Sequence, residues 1–342
     1  MTRLRRTGRG LILLMLALLS LMPWLRSPIP PPSRHAVINL APLPLEPGCC
    51  TAGPLRLLEA WQMTSQHELF GGYSALLQPR PGRLLALGDR GYFLEFSEPG
   101  ARPEPVRFGT IVAEGRLKDF RDVEAATWDP AGAHLWVAME GRNAISRHRL
   151  DMAREAFREV PEMRDWPLNQ GPEAMLRLAD GRFVVLCECN PGWFQGGRHP
   201  GLLFAGDPDL GGKPLAFTFA GVDGYRPTDL AQLPDGRVLI LARRLTWPVP
   251  ARFAIKLLVA DPAEIAADGT WQGREVADLG APWPVDNYEG LAIERQADGK
   301  LIAWLISDEN SAATQRVLLL KVEIDESKLA KTQRAPGSPD AP

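Results

Sequence analysis

The chain has 342 residues, of which 45% are hydrophobic and 23% charged, and its formal net charge is −2. These values exclude a disordered or collagen-like chain, and the length allows one large domain or two of average size. The 32 glycines and 32 prolines favour many short strands joined by turns over a helical bundle.

The N-terminal segment has the pattern of an export signal. Four arginines precede an apolar run over residues 11–22, LILLMLALLSLM. This run is shorter than the roughly 20 apolar residues of a membrane-spanning helix. We predict a signal peptide or signal anchor over residues 1–26, and the absence of a small-residue cleavage motif leaves both alternatives open. The protein is therefore expected to be exported and either periplasmic or anchored to the inner membrane by residues 11–25, its only expected contact with a membrane.

The basic N-terminus hides an acidic body. Residues 1–34 contain six arginines and no acidic residue, so without them the formal charge of −2 becomes −8. An acidic body argues against nucleic acid as a partner and is compatible with bound cations.

Residues 27–54 are rich in proline and predict an extended spacer. The spacer contains Cys49 and Cys50, whereas Cys187 and Cys189 lie two residues apart in a strand-like run and so point to one face of the strand. Because export permits disulfides, we predict that each member of the second pair bonds to one of the first. A soft-metal site and four free thiols are the alternatives.

An internal repeat occupies residues 55–325, which we predict to form one domain. Each repeat has a small or acidic residue, an apolar run, a tight turn, a second apolar run and a charged residue, which is the pattern of a β-hairpin. The five repeats span residues 73–91, 123–143, 172–190, 228–244 and 288–310. A period near 50 residues with β patterning predicts an all-β fold, a β-propeller of about five or six four-stranded blades, preceded by an N-terminal hydrophobic helix. The apolar runs 217–220 and 253–260 are expected to supply outer strands, and residues 326–342 a disordered tail.

Counting outward from each turn places the first polar residue of a repeat opposite its terminal charge. The predicted pairs are Ser74 with Asp89, Glu124 with Glu140, Glu173 with Glu188, Glu289 with Asp308, and Asp229 with either Arg243 or Arg244. Three of these pairs join two carboxylates, which repel each other and raise one pKa. Since innermost strands of a propeller surround a channel, we expect these acids to converge and bind a hard divalent cation, Ca²⁺ or Mg²⁺.

The predicted site divides into metal ligands and groups that act on a substrate. The predicted ligands are Asp122, Glu124, Glu173, Glu188, Glu289 and Asp308. Asp89 and Glu140 are the predicted catalytic carboxylates, and Arg90 and Arg142 the predicted oxyanion binders. No organic cofactor is expected. The opposing interpretation is an internal network in which acids and arginines neutralise each other.

The aligned repeats resemble the exported bacterial β-propellers described as phytase-like, or "esterase-like activity of phytase". The matching motifs are GGYSALL with LGDRG, RDVEA with MEGRN, NQGPEAM, RPTDLAQLPDGRVLILARR, and DNYEGLAI with LISDEN. One departure is Ala242, which stands where an acidic residue commonly precedes the arginine pair. The resemblance implies a propeller that hydrolyses a small-molecule phosphate or carboxylic ester with the help of a metal. The alternative is a non-catalytic binding or scaffold propeller at the cell envelope.

Overall fold

Five antiparallel sheets around a common axis form most of the chain that the structure describes. This structure is a computed structural model, and it describes residues 14–17, 31, 33–46, 48–111, 122–129, 131, 133–189, 197–248 and 251–331. The innermost strand of each sheet packs against the innermost strands of its two neighbours, which closes a ring. The fold is therefore a five-bladed β-propeller, as the repeat predicts.

Three short stretches of the chain precede the first blade. They are β1 (Asn39–Pro42), β2 (Thr51–Ala52) and β3 (Leu55–Thr64). The first blade contains β4 (Tyr73–Arg80), β5 (Arg83–Gly88), β6 (Tyr92–Ser97) and β7 (Arg107–Thr110). The second contains β8 (Val123–Trp128), β9 (His134–Met139), β10 (Ala144–Arg149) and β11 (Arg154–Glu159).

One strand from the chain segment of the fourth blade is added to the third blade. The third contains β12 (Pro172–Arg177), β13 (Phe183–Cys187), β14 (Arg198–Phe204) and β15 (Leu215–Ala220). The fourth contains β16 (Arg226–Gln232), β17 (Val238–Pro248), β18 (Ala251–Ala260) and, beyond β19 (Thr270–Gln272), β20 (Arg274–Asp278). Strand β19 pairs in parallel with β15, so it extends the third blade instead of its own. The apolar runs predicted as outer strands lie in β15 and β18.

The fifth blade joins the two ends of the propeller. Its inner strands are β21 (Asn287–Arg295), β22 (Leu301–Asp308) and β23 (Val317–Ile324), and the N-terminal strand β3 pairs with β23 as the fourth. Strand β1 pairs with the outer edge of β3, and β2 pairs with its beginning. Part of the predicted spacer, residues 27–54, is thus built into this blade. Pairing of β3 with the last strand, β23, closes the ring by main-chain hydrogen bonds.

Apolar side chains fill the space between neighbouring blades. The buried apolar residues form five clusters, and each cluster joins two adjacent blades. Both faces of a blade therefore contact apolar neighbours, which explains uninterrupted apolar strands such as FVVLC in β13. The largest fully buried side chains, Trp271 and Trp304, each lie in one of these clusters.

Each innermost strand contains a β-bulge near its beginning. The residue that the ladder skips is Ser74, Glu124, Glu173, Thr228 or Glu289. A bulge adds one residue to one strand, so the pairing predicted by counting from the turn is wrong beyond it. Asp308, for example, pairs with Asn287 and not with Glu289. In the fourth blade the equivalent residue is Thr228, whereas Asp229 lies inside the ladder opposite Leu241.

The predicted bonds between the two cysteine pairs are wrong. The structure joins Cys49 to Cys50 and Cys187 to Cys189, and the described chain has no free cysteine. Cys50 packs in the cluster between the fourth and fifth blades, whereas Cys187 packs between the second and third. Because the two pairs belong to different interfaces, they cannot meet.

Short helical segments occur at both ends of the described chain. Residues 326–331 of the predicted disordered tail form the helix Glu326–Lys331, because Asp325 accepts hydrogen bonds from the N–H groups of Ser327 and Lys328 and Leu329 is buried. The rest of the tail lies outside the described residues. Of the apolar N-terminal run only residues 14–17 are described, and they are helical. Among the described residues, no helix has the length and apolar character needed to span a membrane.

Candidate functional site

The bulged ends of the innermost strands and the ends of the second strands meet at one end of the propeller axis. This end lies away from the hairpin turns and collects nine carboxyl groups, which we call the axial site. They belong to Asp89, Asp122, Glu124, Glu140, Glu173, Glu188, Glu289, Asp308 and Glu309. Charge repulsion acts on Glu124 from Glu289 of the fifth blade and from Asp89 of the first, which shows that the blades converge here. A bulge changes the direction of the side chain that it adds. All five bulged residues are polar, and three of them are glutamates.

Three carboxylates of the second blade form the tightest group of the axial site. Asp122, Glu124 and Glu140 each offer an oxygen, and these oxygens all lie within 4.8 Å of one another. Burial and the neighbouring Glu289 and Glu140 raise the pKa of Glu124 well above its usual value. The structure thus brings together two predicted ligands, Asp122 and Glu124, with Glu140, which the sequence assigns to catalysis. We call this group the acidic trio.

Glu140 and Glu173 join the second blade to the third. The Glu140 carboxylate accepts a hydrogen bond from the N–H of Gly171 at 3.0 Å and another from the Glu173 carboxyl. Burial raises the pKa of Glu140 to about 7, although these two hydrogen bonds oppose the rise. Burial and the charge of Glu188 raise the pKa of Glu173 well above its usual range. Glu173 is therefore the proton donor of a carboxyl pair that shares one proton.

Asp89 lies beside Gly71 and Gly72, where the main chain comes close to the carboxylates of the axial site. Burial raises the pKa of Asp89 to about 6, with a further contribution from Glu309 and an opposing one from Arg90. Gly72 has a φ of +69°, and a Cβ there would overlap the Asp89 carboxylate. The Gly72 N–H donates to Glu309 Oε2 at 3.0 Å. The Oδ1 atom of Asp89 is buried and has no hydrogen-bond partner among the described residues. Glu309 was not predicted, because the repeat pattern selects one terminal charge in each repeat and in the fifth repeat that charge is Asp308.

On the opposite side of the axis, arginines of the fourth blade neutralise two predicted ligands. Arg243 Nη2 lies 3.2 Å from Glu188 Oε1 and 2.9 Å from Glu289 Oε1. Arg226 Nη1 lies 3.2 Å from Glu188 Oε2. The Asn287 side-chain amide also donates to Glu289 at 2.7 Å. Arginines thus neutralise the charges of Glu188 and Glu289, which distinguishes these two carboxylates from the acidic trio.

The remaining predicted ligand, Asp308, lies in the fifth blade. Its Oδ1 accepts a hydrogen bond from the N–H of Asn310 at 2.9 Å. Burial and the charge of Glu289 raise the pKa of Asp308 well above its usual value. Asp308 therefore lies at the axial site, in surroundings that favour the protonated form of its carboxyl.

The two predicted oxyanion binders have other partners. Arg90 Nη2 donates to the main-chain oxygens of Phe70 and Gly71 at 2.8 and 3.2 Å. Arg142 forms an ion pair with Glu159, at the end of the outermost strand of the second blade. The one-turn 3₁₀ helix Glu140–Arg142 causes this separation, because it buries Glu140 while Arg142 contacts the outer strand. Arg142 thus forms an ion pair with the outer strand of its own blade, whereas Arg90 contacts main chain beside the axial site and lies 3.8 Å from Asp89 Oδ1.

Asp229 has a structural role that the repeat pattern did not reveal. Its carboxylate accepts hydrogen bonds from the N–H of Leu230 at 2.8 Å and of Leu291, in the fifth blade, at 2.7 Å. A third comes from the N–H of Leu76 in the first blade. Asp229 therefore links the innermost strands of three blades instead of pairing with Arg243 or Arg244.

Comparison with known proteins gives one family match and several distant structural similarities. Residues 68–311 match the family described as "Phytase-like: Esterase-like activity of phytase", and no curated protein matches the chain. Among solved structures, Myxococcus xanthus glutaminyl cyclase is 12% identical with a TM-score of 0.45, over 79% of this chain and 97% of that one. Kuenenia stuttgartiensis hydrazine synthase is 14% identical with a TM-score of 0.37, over 70% and 57%. YCF48 bound to a D1 peptide is 11% identical with a TM-score of 0.37, over 82% and 74%.

Proposed function

The chain belongs to the phytase-like family, and from this premise we propose that it hydrolyses phosphate or carboxylic esters of small molecules at the axial site with the help of a divalent cation. The observation that carries the proposal is the acidic trio, whose oxygens lie within 4.8 Å of one another. Like charges at this spacing are unfavourable unless protons or a cation neutralise them. A bound cation is the neutralising group that also supports hydrolysis.

The chemistry of the donor atoms fits a hard cation. The trio consists of carboxylate oxygens alone, which are the ligands that Ca²⁺ and Mg²⁺ prefer. Asp89 supplies a further oxygen at the same end of the axis: its Oδ1 is buried, accepts no hydrogen bond from the described residues and lies 3.8 Å from Arg90 Nε. Asp122, Glu124 and Glu140 would hold the ion. When bound there, it supplies a Lewis acid that polarises an ester carbonyl or phosphoryl oxygen.

Carboxyl groups of the axial site can move protons near neutral pH. The pKa of Asp89 is about 6, in the range in which a carboxylate acts as a general base. The pKa of Glu140 is about 7 without a cation, and a bound cation would hold this carboxylate in its ionised form as a ligand. Glu173 holds the proton of its shared pair with Glu140. Arg243 positions Glu188 and Glu289 through its two ion pairs and leaves the trio as the negative side of the site.

A second function has its own supporting observation. Glu188, Glu289, Arg226 and Arg243 neutralise one another, as the side chains of a structural network do. A propeller that binds a partner at the cell envelope without catalysis would need no more than this network. The two functions differ in turnover, so an assay separates them.

The test compares ester hydrolysis by the full-length protein in Ca²⁺ and in chelator, with p-nitrophenyl phosphate and p-nitrophenyl acetate as substrates. We expect Ca²⁺-dependent turnover that Glu124→Gln lowers by at least about 100-fold, a typical effect of removing one catalytic interaction. Glu59→Gln alters an exposed glutamate of β3 and serves as the control. Absence of turnover with either ester, or equal rates for wild type and Glu124→Gln, would contradict catalysis at the trio and favour the scaffold.

The same proposal includes the cellular location of the protein, which we place outside the cytoplasm. Export rests on the basic and apolar pattern of residues 1–26. Cell fractionation of a tagged full-length chain tests it, and recovery in the cytoplasmic fraction alone would contradict export.

A further inference from the structure

A cavity of 460 Å³ opens beside the axial site where the third, fourth and fifth blades meet. Its lining includes Glu188, Arg226, Arg243, Arg244, Leu245 and Phe253, and we call it the arginine pocket. We propose that this pocket binds the oxyanion of an organic ligand, a carboxylate or a phosphate carried on an apolar body. Its role in catalysis rests on the function proposed above: the pocket would hold a second anionic group of the substrate while the ester lies at the acidic trio.

The charges of the arginine pocket are opposite in sign to those of the trio. Arg226 and Arg243 share the single carboxylate of Glu188, and Arg243 also contacts Glu289. Arg244 has no ion pair within the described ranges, and the described lining of the pocket holds three guanidinium groups against one carboxylate, that of Glu188. The Nε of Arg243 is buried and has no hydrogen-bond partner among these residues. The pocket thus retains both net positive charge and an unused buried donor, which are the requirements for binding an oxyanion.

Arg244 is held in place without an acidic partner. Its guanidinium carbon lies 4.7 Å from the centroid of the buried Tyr225 ring, a cation–π contact. Gly224 has a φ of +78°, and a Cβ there would lie 3.2 Å from Arg244 Cδ, so the glycine makes room for the arginine stem. Stacking restricts the guanidinium before a ligand arrives, which lowers the entropy lost on binding.

An apolar wall faces the guanidinium groups and determines the class of ligand. Phe253 lies under Arg243, with 5.8 Å between the guanidinium carbon and the ring centroid. Leu245 leaves 52% of its surface exposed, unusual for a large apolar residue of this propeller. A cavity of 460 Å³ is of the size that binds small organic molecules. Inorganic phosphate would leave the wall uncovered, whereas an aromatic or alkyl oxyanion would cover it.

The test is calorimetric titration of the full-length protein in chelator, which removes any cation from the measurement. The probes are phenyl phosphate, benzoate, inorganic phosphate and the neutral benzyl alcohol. We expect saturable binding of phenyl phosphate, benzoate or both, tighter than that of inorganic phosphate or benzyl alcohol. Arg244→Gln should weaken it about 10-fold, the usual effect of losing a charged hydrogen bond, and Arg164→Gln, an exposed arginine outside the pocket, should leave it unchanged.

Three results overturn the inference: no binding of either organic anion, equal effects of the two substitutions, or inorganic phosphate binding as tightly as the tighter of the two organic anions. Binding of one organic anion alone supports the pocket and tells carboxylate from phosphate. With active enzyme, Arg244→Gln should raise KM for an ester that carries a second anionic group and leave kcat unchanged. Anion binding without any turnover refutes the proposed hydrolase and keeps the pocket, whereas turnover without this KM effect refutes the pocket's role.

Discussion

The carboxyl of Glu140 should make the cation-free protein less stable as the pH rises. Its pKa is about 7 in the folded protein, against the ordinary 4.5 that we assign to the unfolded chain. Below pH 4.5 both states are protonated and Glu140 contributes nothing to the free energy of unfolding. Between pH 4.5 and 7 the unfolded chain releases the proton that the folded protein retains, so stability falls, and above pH 7 the loss reaches about 3 kcal/mol.

Glu140→Gln isolates this effect because it removes the charge and keeps the shape. The amide oxygen can still accept the hydrogen bond from the Gly171 N–H, and only 7% of the Glu140 surface is exposed, so solvent screens the charge little. In urea unfolding with chelator, the variant should exceed wild type by about 3 kcal/mol at pH 8 and by less than about 1 kcal/mol at pH 5. The exposed Glu59→Gln is the control and should show neither difference. If Glu140→Gln and wild type are equally stable at both pH values, burial does not raise the pKa of Glu140 as described.

Three further substitutions test the supports of the axial site. Asp229→Ala leaves buried main-chain N–H groups without acceptors and should cost about 3 kcal/mol in urea unfolding; a cost below 1 kcal/mol, as for an ordinary surface residue, would contradict the link between blades. Arg243→Gln removes the cation from Glu188 and Glu289. It should lower the melting temperature at pH 8 far more than at pH 5, because burial raises the pKa of Glu289 and lets this carboxyl take up a proton; equal losses would contradict the pairing. Gly72→Ala displaces Asp89 and should weaken Ca²⁺ binding in calorimetry, and unchanged affinity would exclude Asp89 from the ligand set.

The position of the innermost hairpins follows from sequence, which allowed five or six blades, but the closure of the ring does not. Turn residues flanked by apolar runs recur with a near-constant period, so each innermost hairpin can be located by numbering alone. Strand β3 completes the fifth blade, yet it belongs to no repeat and lies about 260 residues before its partner β23. Nothing local predicts such a pairing, because its hydrogen bonds depend on the circular arrangement of the other blades.

The register of the hairpins defines how far the site could be predicted. Counting from each turn brings the acids to the correct end of the strands, and this is why Glu124 and Glu140 were among the predicted residues. Asp122 was predicted because it stands two residues before Glu124, on the same face of the strand. Counting fails at the bulges, which insert one residue without a signal in the apolar pattern. In the fourth blade it selects Asp229 where the bulge holds Thr228.

Contacts between blades are the part that sequence reasoning missed. Arg243 meets Glu188 of the third blade and Glu289 of the fifth, whereas a hairpin pattern compares residues within one blade only. The ion pair of Arg142 with Glu159 was not predicted for a related reason, since it joins the turn after β9 to the outermost strand of the blade. The available signal was compositional: an arginine pair in the one repeat that lacks a terminal acid.

The acidic trio should bind a divalent cation, and calorimetric titration of the chelator-treated full-length protein with Ca²⁺ measures this binding. We predict saturable binding by wild type, retained in Glu59→Gln and lost in Glu124→Gln. No saturable binding by wild type, or the same affinity in Glu124→Gln, would contradict cation binding at the trio.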